Sequence, residues 1–313
     1  MEQNVVLKPK KQKKCWDLLI FAVPAILFAL VFSYTPMFGL IMAFKDNIDM
    51  DSYASPIAAI IMADNIGLGQ FEKLFIDPRF VEALRNTLVI SVLKIVIVFP
   101  IPIFLAILVT EIKNKKVQNA VQSISYLPHF LSWAIVSTIV ISIIRIDEGS
   151  LNVIFQALGW GQVDLDNPAH FRPIIIWSTA WKDVGWSMVT YIAAIAAIDQ
   201  SQYEAARMDG ANKFQEIIHI TLPSLAGTIA VLFIMRVGYI MDAGFEQVYA
   251  LLTPGNEETG QIVGTLIYNL AMGEGATAYG FTTAAGLFNS VISLILILAG
   301  NALSKKLFKR GII

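Results

Sequence analysis

The stretch EAARMDGANKFQEIIHITLP, Glu204 to Pro223, decides how the whole chain is read. It is a polar insert between two long apolar runs, too short and too polar to cross about 30 Å of hydrocarbon. Gln200 to Met208 holds good helix formers, with Glu204, Ala205 and Ala206 at its centre. Asp209-Gly210 favours a turn and ends that helix. Asn212 then caps a second helix, with Gln215 three residues on as in a capping box. Phe214, Ile217, Ile218 and Thr221 fall at i, i+3, i+4 and i+7, which predicts one apolar stripe. Pro223 is placed to open the next span, where its missing N–H costs little. The expected unit is a helix–turn–helix. Its second helix packs under a membrane bundle, and its first projects with Glu204 and Arg207 presented to a partner. The alternative is an amphipathic helix lying in the lipid interface. Ala205, Ala206, Gly210 and Ala211 are small, which suits close protein contact, and the polar face is poor in lysine.

The surrounding chain is strongly apolar. Of 313 residues 56% are hydrophobic and only 15% charged, with a mean hydropathy of +0.64. A soluble domain carries about 25% charged residues. The apolar residues come in blocks, which predicts an all-α, polytopic membrane protein. Six blocks are long enough to span: Asp17–Phe44, Asn86–Val109, Leu127–Ile144, Pro173–Ile198, Leu222–Ile240 and Phe281–Leu303. The first is too long for the apolar region of a cleaved signal, about 7–15 residues, and reads as a retained span. A net charge of −1 gives no sign of nucleic-acid binding, and the single cysteine, Cys15, excludes an internal disulfide framework.

Basic residues set the direction. One set of tails and loops holds Lys8, Lys10, Lys11, Lys13, Lys14, Lys113, Lys115, Lys116, Arg207, Lys213, Lys305, Lys306, Lys309 and Arg310. The opposite set holds only Lys45, Lys73 and Arg79. Positive loops stay inside, so both termini and the quoted stretch are expected in the cytoplasm. The external loops are then 45–85, 145–172 and 241–280. The expected division is a basic cytoplasmic tail (1–16), a first span and external loop (17–79), a five-helix core (80–304) with a cytoplasmic loop at 199–222, and a cytoplasmic C-terminus (305–313). The N-terminal lysines act as an anchor at the lipid surface. The cytoplasmic loops are short, so large cytoplasmic machinery must be another chain.

Glu204-Ala205-Ala206, Gly210 and Ile220-Thr221-Leu222-Pro223 resemble, in type and spacing, the cytoplasmic loop of binding-protein-dependent ABC importer permeases. NTLVISVLKIVIVFPIPIFLAILVTEI from Asn86, YLPHFLSW from Tyr126 and GFEQVYALL from Gly244 are similar to the sugar-permease branch. SYTPMFGLIMAFKD from Ser33 and YEAARMDGANKF from Tyr203 look like its polysaccharide-type, LplB-like subgroup. Thr253-Pro254-Gly255-Asn256 departs from the Gly-Gly-Pro of many sugar permeases. The resemblance implies the MetI-like permease fold in a bacterial plasma membrane. It implies coupling to ATPases through Glu204, Ala205, Ala206, Arg207, Asp209 and Gly210. It also implies a second, similar permease chain, two ATPase subunits and an extracellular solute-binding protein. ATP and Mg would sit on the ATPases. This chain itself has no phosphate-binding Gly-x-x-x-x-Gly-Lys-Ser/Thr loop, no catalytic set and no metal-site spacing, so no cofactor of its own is expected.

Polar groups inside spans are expensive and mark function by default. Lys94, Lys182 and Asp183 are the deep charged candidates; Lys94 also reads as a helix-pairing lysine. Lys182 and Asp183 are adjacent and point about 100° apart on a helix, so they need not pair. Trp177 and Trp181 share a face and suit stacking on sugar rings, or else belong to the interfacial aromatic belt. Phe245, Glu246 and Gln247 follow the fifth span, where irregular backbone is tolerated if it lines a cavity. His129, His170 and His219 are scattered and read as surface or capping residues. An ion-driven secondary transporter is the second class considered. It calls for paired midplane acids or matched broken helices, and only Asp183 is deep enough. An intramembrane hydrolase motif is absent from the sequence.

Overall fold

A computed structural model describes residues 16–46, 48, 53, 55–273 and 278–308. Cys15, the lysines from Lys8 to Lys14, Lys309 and Arg310 lie outside the described residues. The described chain is helical apart from one two-residue antiparallel pair, β1 (Lys45–Asp46) with β2 (Asp64–Asn65).

The chain enters through α1 (Trp16–Ala29), which continues through a π turn and a 3₁₀ stretch to Phe44. A small cap follows. α2 (Pro56–Met62) starts on the Ser55 hydroxyl, and α3 (Gly69–Ile76) is tied to the β pair by Gln70, whose Nε2 donates to the Lys45 carbonyl. Asp77 caps α4 (Pro78–Leu93) by accepting from the Arg79 N–H. A π turn at Lys94–Val98 then leads to α5 (Ile101–Thr110), so Pro78–Thr110 forms one long apolar helix. The Phe99 N–H reaches back to the Lys94 carbonyl, which makes room for Pro100 in the helix.

α6 (Lys115–Tyr126) is capped by Asn114 and bends by 101° into α7 (Trp133–Ile144). This corrects the straight span expected over Leu127–Ile144. Leu127-Pro128 tightens the chain into a 3₁₀ turn and Ser132 starts a new helix. α8 (Ser150–Ala157) precedes α9 (Pro168–Ala196), a 29-residue helix with a buried face running most of its length. α9 packs against α4, α5, α6, α7 and α12 and so forms the centre of the bundle. Phe171, Ile174 and Ile175 meet Ile90, Ile144, Val248 and Ile262 at one end, while Met188 and Tyr191 meet Ile103, Ala106 and Ile107 at the other.

The remaining elements are α10 (Gln200–Met208), α11 (Lys213–Glu216), α12 (Leu222–Gly238), α13 (Phe245–Leu251), α14 (Glu257–Gly260), α15 (Val263–Gly273) and α16 (Tyr279–Phe308). The segment expected as an external loop, 241–280, therefore holds three helices. Its Thr253-Pro254-Gly255-Asn256 turn closes on buried Asn256, whose Nδ2 donates to the carbonyls of Leu165 and Leu251. Among the described residues four helices are long and apolar enough to cross a membrane: Ala22–Phe44, Pro78–Thr110, Lys213–Gly238 and Tyr279–Lys306. The bent α6–α7 pair makes up to five. α9 is not among them although it is long enough, because Arg172, Lys182 and Asp183 interrupt its apolar character.

Candidate functional site

Two regions carry the residues singled out by sequence. The first is α10 with the turn into α11. Asp199 caps α10 by accepting from the Ser201 N–H, and that bond holds its carboxyl below the usual aspartate range. At the other end Gly210 sits at φ +83°, its N–H bonded to Arg207 O while the Ala211 N–H bonds to Ala206 O. That is a Schellman ending, which needs a left-handed residue and so favours glycine. Asn212 and Gln215 then make the expected capping box. α10 buries no residue: Glu204, Ala205, Arg207 and Asp209 are exposed, and Ala206 is half-buried.

Arg207, expected to face a partner, turns back instead. Its Nε meets Glu216 Oε1 at 2.7 Å. Lys213 bridges Glu216 and Glu111 at 3.0 Å each. The Tyr203 hydroxyl meets Thr221 Oγ1 at 2.9 Å. The Glu216 carboxylate holds the Arg207 guanidinium above its already high ordinary pKa. Arg207 and Tyr203 thus tie the unburied α10 to α11 and to the turn before α12, and Lys213 ties α11 to the end of α5. The expected apolar stripe is only partly packed. Thr221 is buried, but Phe214 is 70% exposed. A π turn at Ile217–Thr221 lies between them and breaks the 3.6-residue period.

The second region lies where α4, α9 and α12 meet the start of α13. Lys94 is buried, and its Nζ donates to Ala243 O at 2.9 Å and Gln247 Oε1 at 2.8 Å. Gln247 is fully buried and donates to Ile175 O at 2.8 Å and Ser178 Oγ at 2.7 Å. Lys94 and Gln247 thus clamp α4, α9 and α13 together. The clamp needs the left-handed pair Ala243 (φ +49°) and Gly244 (φ +86°), which brings the Ala243 carbonyl onto Nζ. A Cβ on Gly244 would stand 2.5 Å from that Nζ.

Beside the clamp is a cavity of about 180 Å³ lined by Lys94, Thr179, Asp183, Arg236, Tyr239 and Asp242 among others. An adjoining one of about 270 Å³ shares Thr179, Asp183, Arg236 and Tyr239 and adds Phe99, Trp186 and Tyr191. Asp183 reaches His129 Nδ1 at 3.2 Å, and the His129 ring stacks on Trp186 at 4.8 Å with a 2° interplanar angle. Lys182 donates to the His129 carbonyl at 2.7 Å and lies over the Trp133 ring. The adjacent pair therefore brackets one residue from two sides.

Trp177 and Trp181 lie elsewhere, on an apolar groove of about 530 Å³ between α7, α8 and α9. Phe245 stacks on Tyr249 at 5.7 Å in a cluster with Tyr268, and Glu246 is exposed. In and beside the cavities stand residues that sequence reasoning passed over: Arg236 and Asp242 line them, and His129 adjoins through Asp183. His129 reads from sequence as a surface residue, and Asp242 as part of a loop. Arg236 is visible as a cation inside an apolar run, but nothing local places it on the cavities.

The family model described as "Binding-protein-dependent transport system inner membrane component" matches residues 98–309. The chain belongs to this family. Protein LplB of Bacillus subtilis is 38% identical to this permease over 296 residues, covering 94% of it and 90% of the relative. The polygalacturonan/rhamnogalacturonan transport system permease protein YteP of the same organism is 36% identical, covering 98% of the permease and 96% of the relative. A bacterial alginate ABC transporter, solved in complex with an alginate pentasaccharide-bound periplasmic protein, contains a chain that superposes with a TM-score of 0.84. That chain is 37% identical, and the match covers 95% of the permease and 96% of the solved chain. The family is the membrane component of ABC importers, and the ATPase is a separate subunit.

Proposed function

We propose that this permease carries oligosaccharides or polysaccharide fragments into a bacterial cell as part of an ATP-driven importer. α10 is its coupling helix. Glu204, Ala205, Ala206, Asp209 and Gly210 form the surface that an ATPase grips, and Arg207 fixes that surface to the spans. The observation that carries this reading is a helix with no buried residue that is nonetheless capped at both ends and held by the Arg207–Glu216 ion pair and the Tyr203–Thr221 hydrogen bond. A helix merely resting in lipid needs no such lashing.

The working assembly pairs the chain with a second, similar but different permease. Two ATPase subunits hold ATP and Mg below, and an extracellular solute-binding protein delivers the saccharide. ATP closes the ATPases, the coupling helices move together, and the spans pass from inward-open to outward-open. Six spans, with α9 enclosed among the others, place both termini in the cytoplasm. The division into a basic tail (1–16), a first span with its external cap (17–79), a core (80–304) and a C-terminal tail (305–313) follows. Asp183 lines the pathway, while Lys94 and Gln247 hold its wall. Lys182, Phe245, Glu246, Trp177 and Trp181 stand around it at greater distance.

The test is co-purification. The wild-type chain, expressed with its partners, retains the ATPase, and Glu204→Lys loses it while the second permease stays bound. An ATPase held equally well by Glu204→Lys refutes the coupling role. Full uptake by the isolated chain under an ion gradient would favour the secondary-transporter class instead.

A further inference from the structure

Resting on that import role, we infer that Arg236 reads the negative charge of the cargo, so that the saccharide carried is anionic, with a uronate carboxylate as the group recognised.

The inference comes from which charges around the cavity are already engaged. Lys94 spends two donors on Ala243 O and Gln247 Oε1. Asp183 is paired to His129, and Asp242 Oδ2 accepts from the Gly244 N–H. Arg236 lines both cavities and is half-buried, yet it makes no hydrogen bond or ion pair among the described residues. An arginine in an apolar helix is costly and is kept for a purpose. Its planar fork has donors that match a carboxylate in two parallel bonds.

The neighbours suit a sugar ring bearing such a group. Trp186 and Tyr191 border the same space as flat surfaces, and Thr179 and Tyr239 offer hydroxyls. A neutral sugar would offer the guanidinium no carboxylate to match its fork. Asp183 and Asp242 face the same cavity, so the empty site is balanced and the incoming carboxylate competes with them. That competition favours passage over tight retention. Polygalacturonan and alginate, named for two of the similar proteins, are both acidic polymers.

The experiment uses the complete importer in liposomes, with its ATPases, partner permease and binding protein. Uptake is measured for short oligogalacturonides and oligoalginates and for their carboxyl-reduced neutral counterparts. The wild type is expected to carry an acidic member of the panel in preference to its neutral form. Arg236→Gln is expected to lower the acidic-to-neutral ratio at least tenfold, and Arg236→Lys to lose less. Equal fractional losses for both forms would make Arg236 a packing residue and overturn the inference. A wild type that carries no acidic saccharide overturns it too. Co-purification of the ATPase with each variant reports folding and assembly separately. If even the wild type holds no ATPase, the import role itself fails.

Discussion

Replacing Gly244 by alanine tests whether the Lys94–Gln247 clamp is built as the geometry indicates. At φ +86° an L-residue pays a backbone cost of about 1 kcal/mol. The new Cβ also stands 2.5 Å from Lys94 Nζ, so the ammonium has to withdraw from Ala243 O, Gln247 Oε1 or both. A hydrogen bond to a buried charged group contributes about 1.5–3 kcal/mol, so Gly244→Ala is expected to cost roughly 2.5–4 kcal/mol in all. In a Lys94→Ala background the second part vanishes, and the same change costs only about 1 kcal/mol. The two sites are thus coupled by about 2 kcal/mol, well above the ~0.5 kcal/mol scatter of independent sites. Unfolding free energies from a detergent titration in mixed micelles, measured on the four members of the cycle, provide the readout. Equal costs of Gly244→Ala in both backgrounds would refute the contact.

Two further outcomes follow from the ion pairs around Glu216. Glu216→Gln removes the carboxylate shared by Arg207 and Lys213. Hydrogen exchange at the amides of Ala211 to Gln215 is expected to quicken several-fold, and transport per ATP hydrolysed to fall. Arg207 titrates above its ordinary value, so its contribution is fully present at neutral pH and lost only in strong alkali. Protection of α10, corrected for intrinsic exchange, is therefore expected to be flat between about pH 6 and 9. Gly185→Ala places a Cβ on the Ser125 carbonyl where α6 and α9 touch, and backbone on backbone has little room to yield. It is expected to destabilise the chain by about 1–3 kcal/mol, in contrast to an alanine at solvent-open Gly273. Equal thermal stability of the two variants would count against that close approach.

The cytoplasmic element was legible because its signals are local. Gly210, Asn212 and Gln215 act within a few residues of themselves, and the turn and capping box form as their type and spacing require. The apolar blocks likewise mark most of the long helices. What stays hidden is set by tertiary partners. Gln247 is defined by Ile175 and Ser178, about seventy positions away in the chain. Lys94 reads equally well as a cavity ligand or a helix-pairing group until Ala243 and Gln247 are seen to take its donors. The 101° bend between α6 and α7 falls at Pro128 and Ser132, which mark a break but not its angle. The stripe from Phe214 to Thr221 misleads for another reason. It assumes a constant helical period across a turn that is wider than the rest.

That wider turn is one of three among the described residues, at Leu30–Tyr34, Lys94–Val98 and Ile217–Thr221, and each ends two residues before a proline: Pro36, Pro100 and Pro223. Each extra residue offsets the azimuth of everything beyond it by about 100° about the helix axis. For the last of the three, this fixes the compass bearing at which the cytosolic lever leaves its span. Chain length is thereby as constrained as side-chain chemistry at this junction. Deleting one residue from Ile217–Thr221 would swing Glu204 out of alignment while leaving every residue around it chemically unchanged.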